Sequence, residues 1–170
     1  LGSISVGQKS IAYQENNVAI GKESAALGKY STAIGASTGQ TRTPVLTNDS
    51  NNNNQLTAID GIPVTATGST PDTITEINGT AVTPDQRNAF IALLSSGANL
   101  AGGEASLALG TSNLATGNSS VALGSMNSSS ATSSVALGSN NNANGSSSIA
   151  IGDRNSASAS NAVAIGTQAS

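Results

Sequence analysis

Short apolar segments recur along most of the chain at a spacing of 14 residues. In each segment a glycine follows an apolar residue, an alanine and a second apolar residue, as in Ser-Val-Ala-Leu-Gly at 120–124 and 134–138. Large apolar residues therefore stand two positions apart, which is the period of a β-strand and not that of a coiled coil. The Ser, Asn and Gly residues between the segments favour turns. The pattern predicts short strands separated by tight corners.

The repeat occupies two separate parts of the chain. Five heptads, each of which begins with Ser or Asn, fill residues 3–37. A second set starts at residue 99, and its glycines follow one another at intervals of 14: Gly110, Gly124, Gly138, Gly152 and Gly166. Two heptads would form one coil with two short strands, and successive coils would stack about 4.8 Å apart. We therefore predict an all-β fold, a parallel β-roll of 14-residue coils.

Residues 38–98 interrupt the repeat and set the predicted domain organisation. N-terminal β-roll repeats occupy residues 1–37, an inserted subdomain occupies 38–98, and C-terminal β-roll repeats occupy 99–170. Because the insertion falls between two heptads, the roll can resume without losing its register. Residues 47–54 contain no apolar residue, so this part of the insertion is predicted to be a flexible loop.

Two β-hairpins and a helix are predicted in the rest of the insertion. The hairpins span 56–66 and 74–82 and turn at Asp60-Gly61 and Asn78-Gly79. A helix follows over 84–96, with Thr83 as its N-cap, Pro84 in its first turn, Gln86 completing a capping box and Gly97 ending it. The insertion is therefore expected to be a small β-β-α subdomain, anchored by Phe90, Leu93 and Leu94.

The alternation within each segment suggests what its two faces do. We expect the large residues to fill the interior of the roll and the alanines to face outwards, where a smooth stripe allows another chain to approach. Each coil buries little apolar surface alone, so oligomerisation is expected to complete the core. The residues predicted for the roll core and subunit interface are Val121, Ala122, Leu123, Val135, Ala136, Leu137, Ile149, Ala150, Ile151, Val163, Ala164 and Ile165.

Asparagine recurs three residues after four of the glycines, at Asn113, Asn127, Asn141 and Asn155. Two structural interpretations are open. Asparagine suits a tight corner because it tolerates the left-handed backbone conformation. Alternatively, asparagines at equivalent positions of stacked coils can hydrogen-bond to one another as a ladder.

Composition limits the chemistry that the chain can perform. His and Cys are absent, charged residues make up 9% of the chain and aromatic residues 2%. We therefore predict no catalytic residues, no cofactor and no metal site, and no enzymatic activity. Six Lys and Arg residues against nine Asp and Glu residues argue against nucleic-acid binding.

Several segments resemble the head repeats of trimeric autotransporter adhesins, known as YadA-like heads. They are NNVAIGK (16–22), SVALGS (120–125 and 134–139), SIAIGD (148–153) and NAVAIGT (161–167). The resemblance covers residues 3–37 and 99–170. It implies a left-handed parallel β-roll and a homotrimer around a common axis, with Val and Ile inside each roll and Ala facing the neighbouring chain.

The resemblance also implies a function. A protein of this kind is the head of an adhesin on the bacterial cell surface, carried by the outer membrane, and it attaches to extracellular matrix proteins, host cells or abiotic surfaces. The family's stalk and membrane anchor do not appear in this chain, so membrane attachment is expected only through those absent parts. We expect the insertion to modify the adhesive surface of the head.

Three alternative functions fit a β-solenoid. One is ice binding, which requires a flat array of Thr, whereas Thr111, Thr116, Thr132 and Thr167 do not all share one phase of the repeat. A second is a purely structural solenoid. A third is a phage-type spike with glycan specificity, which requires two suitably spaced carboxylates to cleave its substrate.

Overall fold

The computed structural model describes residues 2–39, 46–48, 55–59, 62–77 and 80–170, and at residues 80, 85, 89 and 93 it describes the backbone alone. Short strands joined by tight corners form the N-terminal part. They are β1 (Ile4–Val6), β2 (Ile11–Ala12), β3 (Val18–Ile20), β4 (Ser24–Ala26) and β5 (Thr32–Ala36).

The insertion contains both strands and helices. Its described elements are β6 (Leu46–Asn48), β7 (Leu56–Ile59), β8 (Ile62–Ala66), a 3-10 turn (Pro71–Thr73), β9 (Ile74–Ile77), β10 (Thr80–Ala81) and helix α1 (Pro84–Ser95). None of the helical residues that the structure describes forms a segment with the length and hydrophobicity needed to span a bilayer.

The C-terminal part alternates strands of five and two residues after a first strand of three. The strands are β11 (Asn99–Ala101), β12 (Leu107–Thr111), β13 (Leu114–Ala115), β14 (Val121–Ser125), β15 (Ser128–Ser129), β16 (Val135–Ser139), β17 (Asn142–Ala143), β18 (Ile149–Asp153), β19 (Ser156–Ala157) and β20 (Val163–Thr167).

The roll consists of two parallel sheets, and the chain passes from one to the other in every coil. The first sheet has eight strands in the order β1-β3-β5-β12-β14-β16-β18-β20, and the second has seven in the order β2-β4-β11-β13-β15-β17-β19. Equivalent residues of successive coils lie side by side, as Val121 does with Val135. The prediction of a parallel β-solenoid with 14-residue coils is confirmed.

The register of the roll continues across the insertion. Strand β12 pairs with β5 so that Gly110 lies beside Gly35, and β11 pairs with β4 so that Asn99 lies beside Ser24. The two ends of the insertion meet at one corner, where the Ser37 hydroxyl donates a hydrogen bond to the Ser96 carbonyl oxygen at 2.7 Å. The division of the chain into the three parts 1–37, 38–98 and 99–170 stays a prediction.

The interior of the roll is filled by alanine, which makes the predicted assignment of the faces wrong. The alanine in the second position of most strands of the first sheet, such as Ala122 or Ala136, has no exposed surface, whereas Val121, Leu123 and Leu137 are only half-buried. The reason is geometric, because a coil of two short strands and two tight corners encloses too little space for larger side chains. Val, Leu and Ile therefore face outwards from the roll, and Ala faces neither solvent nor a neighbouring chain.

Glycine allows adjacent coils to approach closely at one corner. Gly124 has a φ of +118°, and a Cβ atom at this position would collide with the carbonyl oxygen of Gly138 in the next coil. Only glycine fits such a site, because it has no Cβ and adopts positive φ without strain. The 14-residue glycine spacing therefore reflects contact between backbones.

The insertion forms one antiparallel sheet with the order β10-β9-β8-β7-β6, and not two separate hairpins. Thr47 and Asn48 belong to its edge strand β6, so the prediction of a flexible loop is wrong for these two residues. Residues 49–54 lie outside the described part of the chain. The predicted turn residues Asp60-Gly61 and Asn78-Gly79 also lie outside it, although the strands on either side pair as Ile59 with Ile62 and Ile77 with Thr80.

Helix α1 begins with the expected capping box. The backbone N–H of Thr83 donates to Gln86 Oε1 at 2.9 Å, and the N–H of Gln86 donates to Thr83 Oγ1 at 3.3 Å. Gly97, with a φ of +66°, follows the helix. Phe90 and Leu94 are buried against the sheet and the roll, whereas the side chain of Leu93 lies outside the described atoms.

Because Ala136 lies inside the roll, enlarging it should disrupt folding. We predict that Ala136→Leu lowers the free energy of unfolding by about 3 kcal/mol, since the interior has no room for the added atoms. Chemical denaturation followed by circular dichroism measures the change. Ser139→Ala, on the outer side of the same strand, is the control and should change stability by less than about 0.5 kcal/mol. Equal stability of the two variants would contradict the alanine-filled interior.

Candidate functional site

Most of the outer face of the first sheet is an apolar surface, which we call the apolar face. It consists of two columns of side chains that run along the roll, in which Thr32 is the only polar residue, and a third outward column beside them contains Ala36, Thr111, Ser125, Ser139, Asp153 and Thr167. The first column contains Ile4, Val18, Leu107, Val121, Val135, Ile149 and Val163, and the second contains Val6, Ile20, Ile34, Leu109, Leu123, Leu137, Ile151 and Ile165.

The apolar face has no covering element among the described residues. Val163 and Ile165 are 61% and 64% exposed, and Val6 is 56% exposed. Residues in the middle of the columns are shielded by neighbouring side chains in adjacent coils, and no described element packs against their outer side. An apolar surface of this extent on a folded chain is typical of an interaction site.

Behind the apolar face, the predicted asparagines form a hydrogen-bonded ladder inside one corner. Nδ2 of Asn127 has three acceptors within hydrogen-bonding distance, which share its two hydrogens: Asn113 Oδ1 at 3.1 Å, the Leu123 carbonyl at 2.9 Å and the Gly138 carbonyl at 2.7 Å. Oδ1 of Asn127 accepts from the backbone N and from Nδ2 of Asn141, both at 3.0 Å. Asn155 continues the same pattern.

The ladder residues do not themselves adopt the left-handed conformation. That conformation belongs to the residue before each of them, with φ of 54° at Met126 and at Asn140. Asn127 and Asn141 are each only 1% exposed. Their amides therefore satisfy buried backbone groups at the corner, a structural role that positions the strands of the apolar face.

On the opposite side of the roll, the insertion lies on the second sheet. The outward residues of the first four coils in that sheet are Ile11, Ala25, Leu100 and Leu114. Leu100 has no exposed surface and belongs to one hydrophobic cluster with Leu27 of the roll and Ile62, Phe90 and Leu94 of the insertion. The insertion is thus packed against the roll along an apolar contact, which we call the seam.

The outward residues of the second sheet change from apolar to polar where the seam ends. After Leu114 the same column continues with Ser128, Asn142 and Ser156. This switch marks which coils the insertion covers. The switch is present in the sequence, but it lies in the shorter strand of each coil, where the repeat is weaker.

Clefts open at the seam within the described part of the chain. An apolar cleft of about 440 Å³ lies against Ile11, Tyr13, Leu27 and Phe90. There the Tyr13 hydroxyl donates to the Ala81 carbonyl at 3.1 Å, and burial raises the pKa of this phenol. A second cleft of about 300 Å³, which we call the seam cleft, is lined by Gln14, Gly28, Lys29, Pro63, Glu104 and Asn118.

The described residues offer no arrangement suited to metal binding. Among them, no group of three or more His, Cys, Asp or Glu side chains is close enough to share an ion. Asp72 is an exposed carboxylate whose pKa is lowered by a hydrogen bond from Thr70, by its own backbone N–H and by the charge of Arg87. It stands apart from the apolar face.

The architecture places the chain in a class of repeat proteins, the parallel β-solenoids with short coils. The family profile described as YadA head domain repeat (2 copies) matches residues 1–24, 18–38, 101–125, 115–141, 129–155 and 143–169, which together make up more than half of the chain. The chain therefore belongs to the YadA head family. This family and fold are typical of non-enzymatic adhesins. No curated protein and no solved structure matched the chain.

The ladder should contribute strongly to stability. We predict that Asn127→Ala lowers the free energy of unfolding by about 3 kcal/mol, because it leaves several buried backbone and side-chain groups without partners. The matched control is Asn142→Ala, which removes the same side chain from the outer side of the second sheet and should cost less than about 0.5 kcal/mol. Urea denaturation of both variants tests this, and similar losses in the two would contradict a specific role of the ladder.

Proposed function

We propose that this chain is part of the head of a bacterial cell-surface adhesin, in which three copies assemble through the apolar face. The head attaches to extracellular matrix proteins, host cells or abiotic surfaces by binding alone. The observation that carries the proposal is the apolar face itself, which spans all eight strands of the first sheet and is uncovered in a single chain. Family membership supports the number of copies and the location on the outer membrane.

The energetics of a single roll favour assembly. Its interior contains mainly Ala, Ser and Asn, so the apolar area buried within each coil is small. Packing the two outer columns against the same columns of other copies would bury the Val, Leu and Ile side chains that the roll leaves half-exposed. A closed symmetric arrangement satisfies every copy equally and leaves no apolar face uncovered.

The insertion is proposed to contribute to the adhesive surface. It lies on the second sheet, on the side of the roll away from the apolar face, so assembly through that face leaves it accessible. Three copies of the insertion would then be presented together on one rigid scaffold. Such multivalency strengthens attachment through weak individual contacts.

If the chain assembles through the apolar face, a charge placed on that face should change the oligomeric state, and a charge elsewhere should not. The unmodified chain should have a solution mass close to three times 16.5 kDa by light scattering after size exclusion. Leu123→Glu should dissociate the trimer, because three carboxylates would be buried without partners. Ser128→Glu, which places the same charge on the second sheet, should leave the mass unchanged. A monomeric unmodified chain, or a trimeric Leu123→Glu variant, would contradict the proposal.

The contribution of the insertion can be tested by removing it. We predict that a variant joining Ser37 directly to Asn99 keeps the roll and the trimer, because the register across the junction is continuous. Leu100→Ser and Leu114→Asn should be introduced together with the deletion, since they extend the polar column of Ser128 and Asn142 over the uncovered sheet. This variant should lose adhesion to immobilised matrix proteins and cells.

The control for the deletion is the complete chain with no substitutions, measured at equal trimer concentration. Full adhesion by the shortened trimer would show that the roll alone binds, which would contradict a role of the insertion in adhesion. Circular dichroism and solution mass establish that the shortened chain is folded before adhesion is compared.

A further inference from the structure

The seam cleft lies at a corner of the roll where the first coils meet the insertion. Its floor is Gly28, where a side chain would collide with the backbone of Gly102 and Gly103 in the next coil. Lys29, Glu104 and Asn118 stand at equivalent positions of consecutive coils on one side, as the hydrogen bonds from Ala105 N to Lys29 O and from Ser119 N to Glu104 O show. The insertion forms the other side with Pro63. The cleft is thus built by one chain.

Hydrogen-bonding groups of both kinds converge on this cleft. Lys29 Nζ lies 3.8 Å from Glu15 Oε2 of the preceding coil, and Asn118 Oδ1 accepts the backbone N–H of Glu104 at 3.2 Å. The carboxylate of Glu104 takes part in no ion pair or hydrogen bond with the residues that the structure describes, and its residue is exposed. The Asn118 amide NH₂ and the Glu104 carboxylate therefore offer donors and acceptors to a ligand.

An aromatic ring lies next to Lys29, which lines the cleft. Tyr30 follows Lys29, is 51% exposed, and lies with its ring centroid 5.9 Å from Lys29 Nζ. Its backbone is held in the left-handed conformation with a φ of 57°, and its N–H donates to the Glu15 carbonyl at 3.2 Å. The backbone at Tyr30 is therefore fixed, and the ring offers a flat apolar surface next to polar groups.

The charges at the cleft exclude several ligand classes. Glu15, Lys29 and Glu104 carry one positive and two negative charges, so the cleft as a whole repels anions. Lys29 stands between the two carboxylates along the corner and keeps them from sharing a cation. The polar side chains of Glu104 and Asn118 disfavour a purely apolar ligand, because it would strip them of water without replacing their hydrogen bonds.

We propose that the seam cleft binds an uncharged saccharide unit of a surface glycan. Its hydroxyl groups donate to the Glu104 carboxylate and accept from the Asn118 amide, while the apolar side of a sugar ring packs near Pro63. This proposal deepens the proposed function, on which it rests, by giving the adhesin head a class of ligand. Sialylated and sulfated glycans are disfavoured by the net negative charge.

The test uses the complete chain, whose solution mass is measured in the same preparation. Lactose and N,N′-diacetylchitobiose serve as neutral probes, and sialyllactose and a heparin disaccharide serve as anionic probes, with binding measured by isothermal titration calorimetry. We expect binding of at least one neutral probe and weaker or no binding of the anionic probes. Glu104→Ala should weaken neutral binding about tenfold or more, as expected for loss of a hydrogen bond to a charged group.

The matched control is Thr132→Ala, which lies in the same corner column two coils beyond Glu104 and away from the cleft. It should bind the neutral probe as the unmodified chain does. Glu104→Gln keeps the size of the side chain, and its affinity for the neutral probe should lie between those of Glu104→Ala and Thr132→Ala. Thermal unfolding establishes that each variant is folded.

The proposal is overturned if neither neutral probe binds, if the anionic probes bind more tightly, or if Glu104→Ala and Thr132→Ala have equal affinities. Failure of this inference is distinguishable from failure of the proposed function. A trimer that binds neither neutral probe overturns only the saccharide site. A monomer that binds a neutral probe supports the saccharide site and contradicts the proposed assembly.

Discussion

The narrow interior of the roll is the constraint on which the rest of the structure depends. Two sheets joined by tight corners leave room only for small side chains, so Ala occupies the interior position of successive strands and Ser or Asn occupies the corners. Glycine is required where neighbouring backbones meet, as at Gly124. The same limit explains the Asn ladder, because a corner this tight buries backbone groups that only a compact amide can satisfy.

Large apolar residues are consequently displaced to the outside, where they form two surfaces with different partners. On the first sheet they form the apolar face, which is uncovered in a single chain. On the second sheet they occur only in the coils beneath the insertion, which covers Leu100 and part of Leu114 with its own apolar residues. The insertion therefore covers apolar residues of the second sheet, as other copies of the chain are proposed to cover those of the first sheet.

Periodicity predicted much of the fold, because a strand period and a fixed glycine spacing are both local features of the sequence. It also located the insertion and the capping box of its helix. The face of each strand that points into the roll was predicted wrongly, because alternation separates two faces but does not indicate which of them is inside. The volume of the side chains decides which face lies inside, and the recurring alanine in the sequence indicates the inner face. Strand β6 was missed because Thr47 and Asn48 gain strand structure only through pairing with β7. The seam cleft could not be predicted, as it joins residues from four coils and the insertion.

The central claim is that a roll with an alanine interior is stabilised by packing its outer apolar face against other copies. The dependence of the thermal unfolding midpoint on protein concentration tests this claim most directly. If folding is coupled to assembly, the midpoint should rise steadily with concentration and should do so less in a Leu123→Glu variant. A midpoint that is independent of concentration, in a chain that remains monomeric throughout, would contradict the claim.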